Sequence, residues 1–122
     1  MFMNMKDKFL EIRDNYVINQ VRTAVLPQFK SCKIARYRLV FSGRVQHVGF
    51  RLEVCEMAKR LGLTGYCQNL EDGSVLAEVQ GQSDKIKFLV IFMKSLRRIK
   101  IRDVDKKRLP LKFDEAGFAK KE

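Results

Sequence analysis

The stretch GRVQHVGFR, residues 43–51, decides the reading of this chain. Just before it, Tyr37, Leu39 and Phe41 alternate with Arg38, Val40 and Ser42, the period of a strand with one face on a core. Just after it, Phe50, Val54, Met57, Ala58 and Leu61 fall on one face of a helix. Gly43 and Gly49 bracket the intervening loop and let its backbone turn N–H groups around one point. The loop empties into a helix N-terminus, where unpaired N–H groups and the helix dipole favour negative charge. Arg51 stands in the first helical turn and can offer a planar fork to two phosphate oxygens. Local physics alone therefore makes this strand–loop–helix an anion site.

Working outward, Gly62 is placed to cap that helix, with Lys59 and Arg60 near the negative end of its dipole. Residues 64–69 read as a short strand, and Glu71-Asp72-Gly73 is a hairpin turn signal. Val75, Ala77 and Val79 alternate in the returning strand, which Gly81 is expected to close. Ser83 reads as an N-cap, with Asp84 beside it, for a helix striped by Ile86, Leu89, Val90, Met93 and Leu96. Ile99, Ile101 and Val104 open another strand, and Phe118 a last short one. The order β-α-β-β-α-β predicts an α/β (α+β) ferredoxin-like sandwich, an antiparallel sheet with two helices on one face.

Residues 1–34 form a separate N-terminal extension ahead of the domain at 35–122. Phe2, Met5, Phe9, Ile12 and Tyr16 recur at steps of three and four, the stripe of an amphipathic helix packed on the domain or on a protein partner. Pro27 and the polar run 28–33 end that helix and begin a linker.

Bulk properties bound the function. A chain of 122 residues, 46% hydrophobic and 32% charged, suits one soluble folded domain. No apolar run approaches the ~20 residues of a membrane span, and Lys6, Asp7, Lys8 and Glu11 interrupt any signal peptide. Cytoplasm is the expected compartment and no membrane partner is expected. Cys32, Cys55 and Cys67 are widely spaced beside a single histidine, which supports neither a disulfide framework nor a zinc site. The net charge of +11 attracts anions of any size. The basic run Lys94, Arg97, Arg98, Lys100, Arg102, Lys106, Lys107 and Arg108 reads as a solvated face. An RNA surface competes with that reading, but the aromatic segment of RNA-reading sheets is absent, so nucleic acid is not expected as a partner.

The same loop carries a resemblance to a known family. GRVQHVGFR resembles the acylphosphatase signature GRVQGVGFR, and the likeness continues through Leu61-Gly62-Leu63, Gly65-Tyr66-Cys67-Gln68-Asn69 and Asp72-Gly73-Ser74-Val75 to Gly117-Phe118. It covers most of residues 36–118 and leaves 1–34 without counterpart. The resemblance implies that Arg51 clamps a phosphate together with the loop amides of Arg44, Val45, Gln46, His47, Val48, Gly49 and Phe50. It implies that Asn69 positions the attacking water. It also implies hydrolysis of small acyl phosphates to carboxylate and inorganic phosphate, with no metal or cofactor, and binding of phosphate or another oxyanion. The departure is His47, where the family has glycine; at a positive φ, a side chain there costs about 1–2 kcal/mol. The alternative that this departure opens is a weak or inactive relative, an anion- or RNA-binding module on the same fold.

Overall fold

The computed structural model describes residues 4–30 and 33–122. Phe2, Met3 and Cys32 lie outside the described residues. The elements run α1 (Met5–Thr23), β1 (Ile34–Arg44), α2 (Phe50–Arg60), β2 (Thr64–Asn69), β3 (Val75–Gln82), α3 (Ser83–Ser95), β4 (Lys100–Leu109) and β5 (Phe118–Lys121). The sheet order is β4-β1-β3-β2-β5. It is antiparallel except at the last edge, where β5 runs parallel to β2.

The alternation read in the sequence sets the core. Leu39 pairs with Ala77, and Ala77 with Cys67, so three buried side chains stand in a row under the helices. Phe41, Val75 and Val79 extend that layer. Val54, Met57 and Ala58 of α2 and Ile86, Leu89 and Met93 of α3 close over it. Gly65 shows how tightly the hairpin is drawn: it sits at φ 140°, and a Cβ there would lie 1.8 Å from the Glu78 carbonyl oxygen. Only glycine fits.

Two boundaries differ from the sequence reading. β3 continues through Gly81 to Gln82, so Gln82 caps α3 and Ser83 is already helical. Leu61 caps α2, with Gly62 following in the left-handed region.

The larger difference is α1. Its expected stripe does not meet the domain: Phe9 is 71% and Tyr16 58% exposed, and Met5 and Ile12 are exposed as well. Val17 and Val21 are buried instead, and α1 packs on α2 through them. The helix carries a second, shorter apolar face, and that face fits against α2. Arg60 of α2 donates to the carbonyls of Val21 and Ala24, tying the end of α1 to α2. The chain then crosses α3, where Phe29 meets Phe88 edge to face at 5.6 Å.

The face of the sheet away from the helices holds a buried cation. Arg36 is 1% exposed and donates to both oxygens of Glu115, at 2.8 and 3.0 Å, and to Glu78 at 3.0 Å. Glu115 lies on the segment joining β4 to β5, which also exchanges two hydrogen bonds between Lys112 and Gln80. Hydrogen bonds from Arg36 hold Glu115 below its ordinary value of 4.5. Burial pushes Glu78 up, yet hydrogen bonds from Tyr66 and Arg36 leave it below that value too. Groups depressed in the folded state contribute stability above their unfolded value and lose it as pH falls through the folded one. The melting temperature is therefore expected to drop between about pH 6 and about pH 3, and Glu115→Gln to flatten that slope. Thermal unfolding followed by circular dichroism at stepped pH measures it; an unchanged slope in the variant would contradict the assignment.

Candidate active site

β1 ends at Arg44 and α2 begins at Phe50, and residues 45–49 turn between them. Gly49 takes φ 79° at the N-cap position of α2, the left-handed geometry that lets a loop feed directly into a helix. His47 is the only non-glycine residue with positive φ among the described residues, at 65°. The conditional strain at this position is thus real. Replacing it with glycine removes about 1–2 kcal/mol of strain at an entropic cost of about 0.5–1 kcal/mol. His47→Gly is expected to be more stable by about 0.5–1 kcal/mol, read as a raised urea midpoint at unchanged slope.

Along this turn the backbone amides have no partner among the described residues. No amide of residues 46–52 donates a hydrogen bond to another described residue, whereas the next, Glu53 N–H, donates to the Gly49 carbonyl at 3.0 Å. Beside these amides lies a pocket of about 130 Å³ lined by Val45, His47, Gly49, Phe50, Arg51, Leu52, Asn69 and Lys120, with Arg13 and Asp14 from α1. The fold thus brings Arg51 and Asn69 to one pocket. Of the loop residues expected at the anion, Val45, His47, Gly49 and Phe50 line it; Arg44, Gln46 and Val48 do not.

Arg51 is oriented from one side. Its Nη1 donates to the Lys121 carbonyl at 2.8 Å, and the Glu122 carboxylate stands at 3.9 Å. Nε and Nη2 donate to no described residue. Asn69 closes β2, paired with Val75 across the hairpin. The loop is tied to that hairpin by Gln46, whose Nε2 donates to the carbonyls of Leu70 at 2.7 Å and Ser74 at 2.9 Å. Its side chain is therefore a strut between the two halves of the pocket.

The second strut is Arg98, which the sequence reading left among solvated charges. Its Nε donates to the Val48 carbonyl at 2.7 Å, its Nη2 to Glu53 at 2.7 Å and its Nη1 to Gln20 at 3.1 Å. One guanidinium thus joins the loop, α2 and α1. Glu53 is 0% exposed, so its partner is a structural requirement. No local period announces an arginine 50 residues from the carbonyl it holds. Cys55 and Cys67 are buried free thiols behind the site, and burial pushes Cys55 up to about 11, so neither is a nucleophile near neutral pH.

The chain matches the family model described as Acylphosphatase over residues 37–120. It is 39% identical over 85 residues to a protein named Acylphosphatase from Clostridium beijerinckii, covering 69% of this chain and 94% of that one. A Picrophilus torridus protein of the same name is 45% identical over 60 residues, 49% of this chain and 74% of that one. Among solved structures, an acylphosphatase from Bacillus subtilis superimposes with a TM-score of 0.68 at 26% identity, over 74% of this chain and all of that one. A family model matched over residues 37–120, and a relative 39% identical along 94% of its own length, place this chain in the acylphosphatase family.

Proposed function

We propose that Arg51 and the backbone amides of the loop residues that line the pocket, His47, Gly49 and Phe50 among them, hold the phosphoryl group of an acyl phosphate, and that Asn69 orients the water that attacks it. The protein is an acylphosphatase, releasing carboxylate and inorganic phosphate from the mixed anhydride. The observation that carries the residue assignment is a run of amides without a partner among the described residues, beside a guanidinium whose Nε and Nη2 have none among them either.

The chemistry needs little more. A carboxylate is a good leaving group, so no strong general acid is required. The water oxygen forms a bond to phosphorus as the bond from phosphorus to the acyl oxygen breaks, and that electron pair leaves on the carboxylate. Asn69 is neutral and cannot take the water proton; its carbonyl can accept from the water and its NH₂ can donate. The proton passes to a phosphoryl oxygen of the substrate. Glu53 is no rival base, being fully buried against Arg98. Rate comes from positioning and from charge stabilisation around the transferring group.

The substrate in this reading is a small acyl phosphate. Asp103 and Asp105 interrupt the basic β4 edge, which supports a solvated face there in place of a nucleic-acid surface. The buried unpaired thiols Cys55 and Cys67 support a reducing, cytoplasmic setting. The test is release of phosphate from benzoyl phosphate by the purified chain and by Asn69→Ala. The variant is expected to lose about 10²-fold or more in kcat while still binding inorganic phosphate. Equal turnover by the two proteins would remove Asn69 from the mechanism.

A further inference from the structure

The pocket has a wall that the family domain does not provide. Arg13 and Asp14 of α1 stand at it together with His47, Gly49, Arg51 and Asn69. Contact with the loop is close: a Cβ on Gly49 would lie 3.1 Å from Val17 Cγ2 and 3.4 Å from Arg13 Nε. α1 is therefore seated on the last glycine of the anion loop.

Arg13 is held there from one side. Its Nε and Nη2 both donate to Asp14 Oδ1, at 3.0 and 2.8 Å, and its Nη1 donates to no described residue. Adjacent helical residues do not face each other, so this neighbour pair forms only because both side chains bend toward one side. The arrangement repeats that of Arg51, whose Nη1 is anchored on the Lys121 carbonyl while its other nitrogens have no partner among the described residues. Two guanidinia are thus anchored by the protein at one edge each, on one pocket of about 130 Å³. The pocket lining carries three cations, Arg13, Arg51 and Lys120, against the carboxylate of Asp14, with that of Glu122 3.9 Å from Arg51 outside the lining. The excess of positive charge there suits an anion.

We propose that α1 supplies Arg13 as a second guanidinium to the phosphoryl group, so that docking of α1 and binding of the anion reinforce each other. The proposal rests on the reading of the pocket as a phosphate site. Reciprocity follows from linkage: whatever α1 adds to phosphate affinity, phosphate adds to the docking of α1. Arg98 strengthens the link, since it holds Gln20 of α1 and the Val48 carbonyl of the loop at once.

The experiment uses the full chain and inorganic phosphate as probe. Its dissociation constant is measured by calorimetric titration for wild type, Arg13→Ala and Arg13→Lys. Loss of one charge-assisted hydrogen bond is expected to weaken binding about tenfold in the alanine variant, with lysine recovering part of it. KM for benzoyl phosphate is expected to rise in step, by more than kcat falls. Amide hydrogen exchange over residues 8–23 is expected to slow on phosphate addition in wild type and to respond less in Arg13→Ala. Phosphate binding by Arg13→Ala within about twofold of wild type would overturn the proposal, as would exchange in α1 indifferent to phosphate. A wild type that binds phosphate through Arg13 yet hydrolyses no benzoyl phosphate would instead refute the catalytic roles of Arg51 and Asn69 and leave this inference standing.

Discussion

Alanine at position 51 is expected to leave a folded protein that neither holds inorganic phosphate nor turns over benzoyl phosphate measurably. Folding survives because Arg51, half-buried at the pocket, gives the fold little beyond its bond to the Lys121 carbonyl, a contact worth about 1 kcal/mol. Function is expected not to survive, because in the proposed assignment the guanidinium faces the charge that spreads over the phosphoryl oxygens as the acyl bond breaks. Arginines that meet a transferring phosphoryl group are worth about 10³–10⁵ in rate. The unpaired amides and the α2 dipole remain in the variant, but their partial charges do not replace a full one. Arg51→Lys sharpens the point. It keeps the charge and loses the planar fork, so it should bind phosphate weakly and still lose most of kcat. Circular dichroism shows whether the variants fold, and phosphate release shows what they do. Turnover by Arg51→Ala within about tenfold of wild type would sink the assignment.

What the sequence disclosed about this site follows from which contacts are local. The loop, its glycines, Arg51 and the α2 face all lie within one short stretch, and their chemistry is fixed by neighbours along the chain. Asn69 was reached only through the family resemblance; on its own it is a residue before a turn. The struts were not legible. Gln46 was expected to offer only its amide, and its side chain instead spans 24 residues to the Leu70 carbonyl. Arg98 sits in a basic run whose other charged residues are exposed, and only the tertiary placement of Glu53 withdraws it. In α1 the apolar period correctly announced a helix and misplaced its packing. Period tells which residues share a face, and not which face the domain will accept. Val17 and Val21 are few, but they meet α2, while the longer stripe from Met5 to Tyr16 stays open to water. The βαββαβ order was legible because each element announces itself and the connections are short; the parallel pairing of β5 with β2 was not, since no local signal encodes it.

Arg98→Ala is expected to be the most damaging substitution outside the phosphate clamp. Glu53 is fully buried, its Oε1 rests on Arg98 Nη2, and its Oε2 has no partner among the described residues. Burial pushes its carboxyl above the ordinary value of 4.5, and Arg98 pulls it back. Removing Arg98 leaves that carboxylate without a cation, a loss of about 3–5 kcal/mol for a buried pair. The Arg98 side chain is itself 22% exposed, so water softens the loss toward about 3 kcal/mol. In the variant Glu53 regains its neutral form by taking a proton, and the raised pKa sets the direction of the pH effect. A carboxyl raised in the folded state contributes stability below its unfolded value and loses it as pH rises through the folded one. The deficit of Arg98→Ala relative to wild type should therefore be largest near neutral pH and shrink on acidification. Arg98→Met with Glu53→Leu should recover much of the stability, because replacing both partners leaves no charge to strand. It should not recover function fully, since the Val48 carbonyl and Gln20 lose their donor in either variant and the loop loses its anchor. Urea unfolding of the three proteins at two pH values, beside KM for benzoyl phosphate, separates these effects. A deficit that does not depend on pH would mean that Glu53 is not the group left stranded.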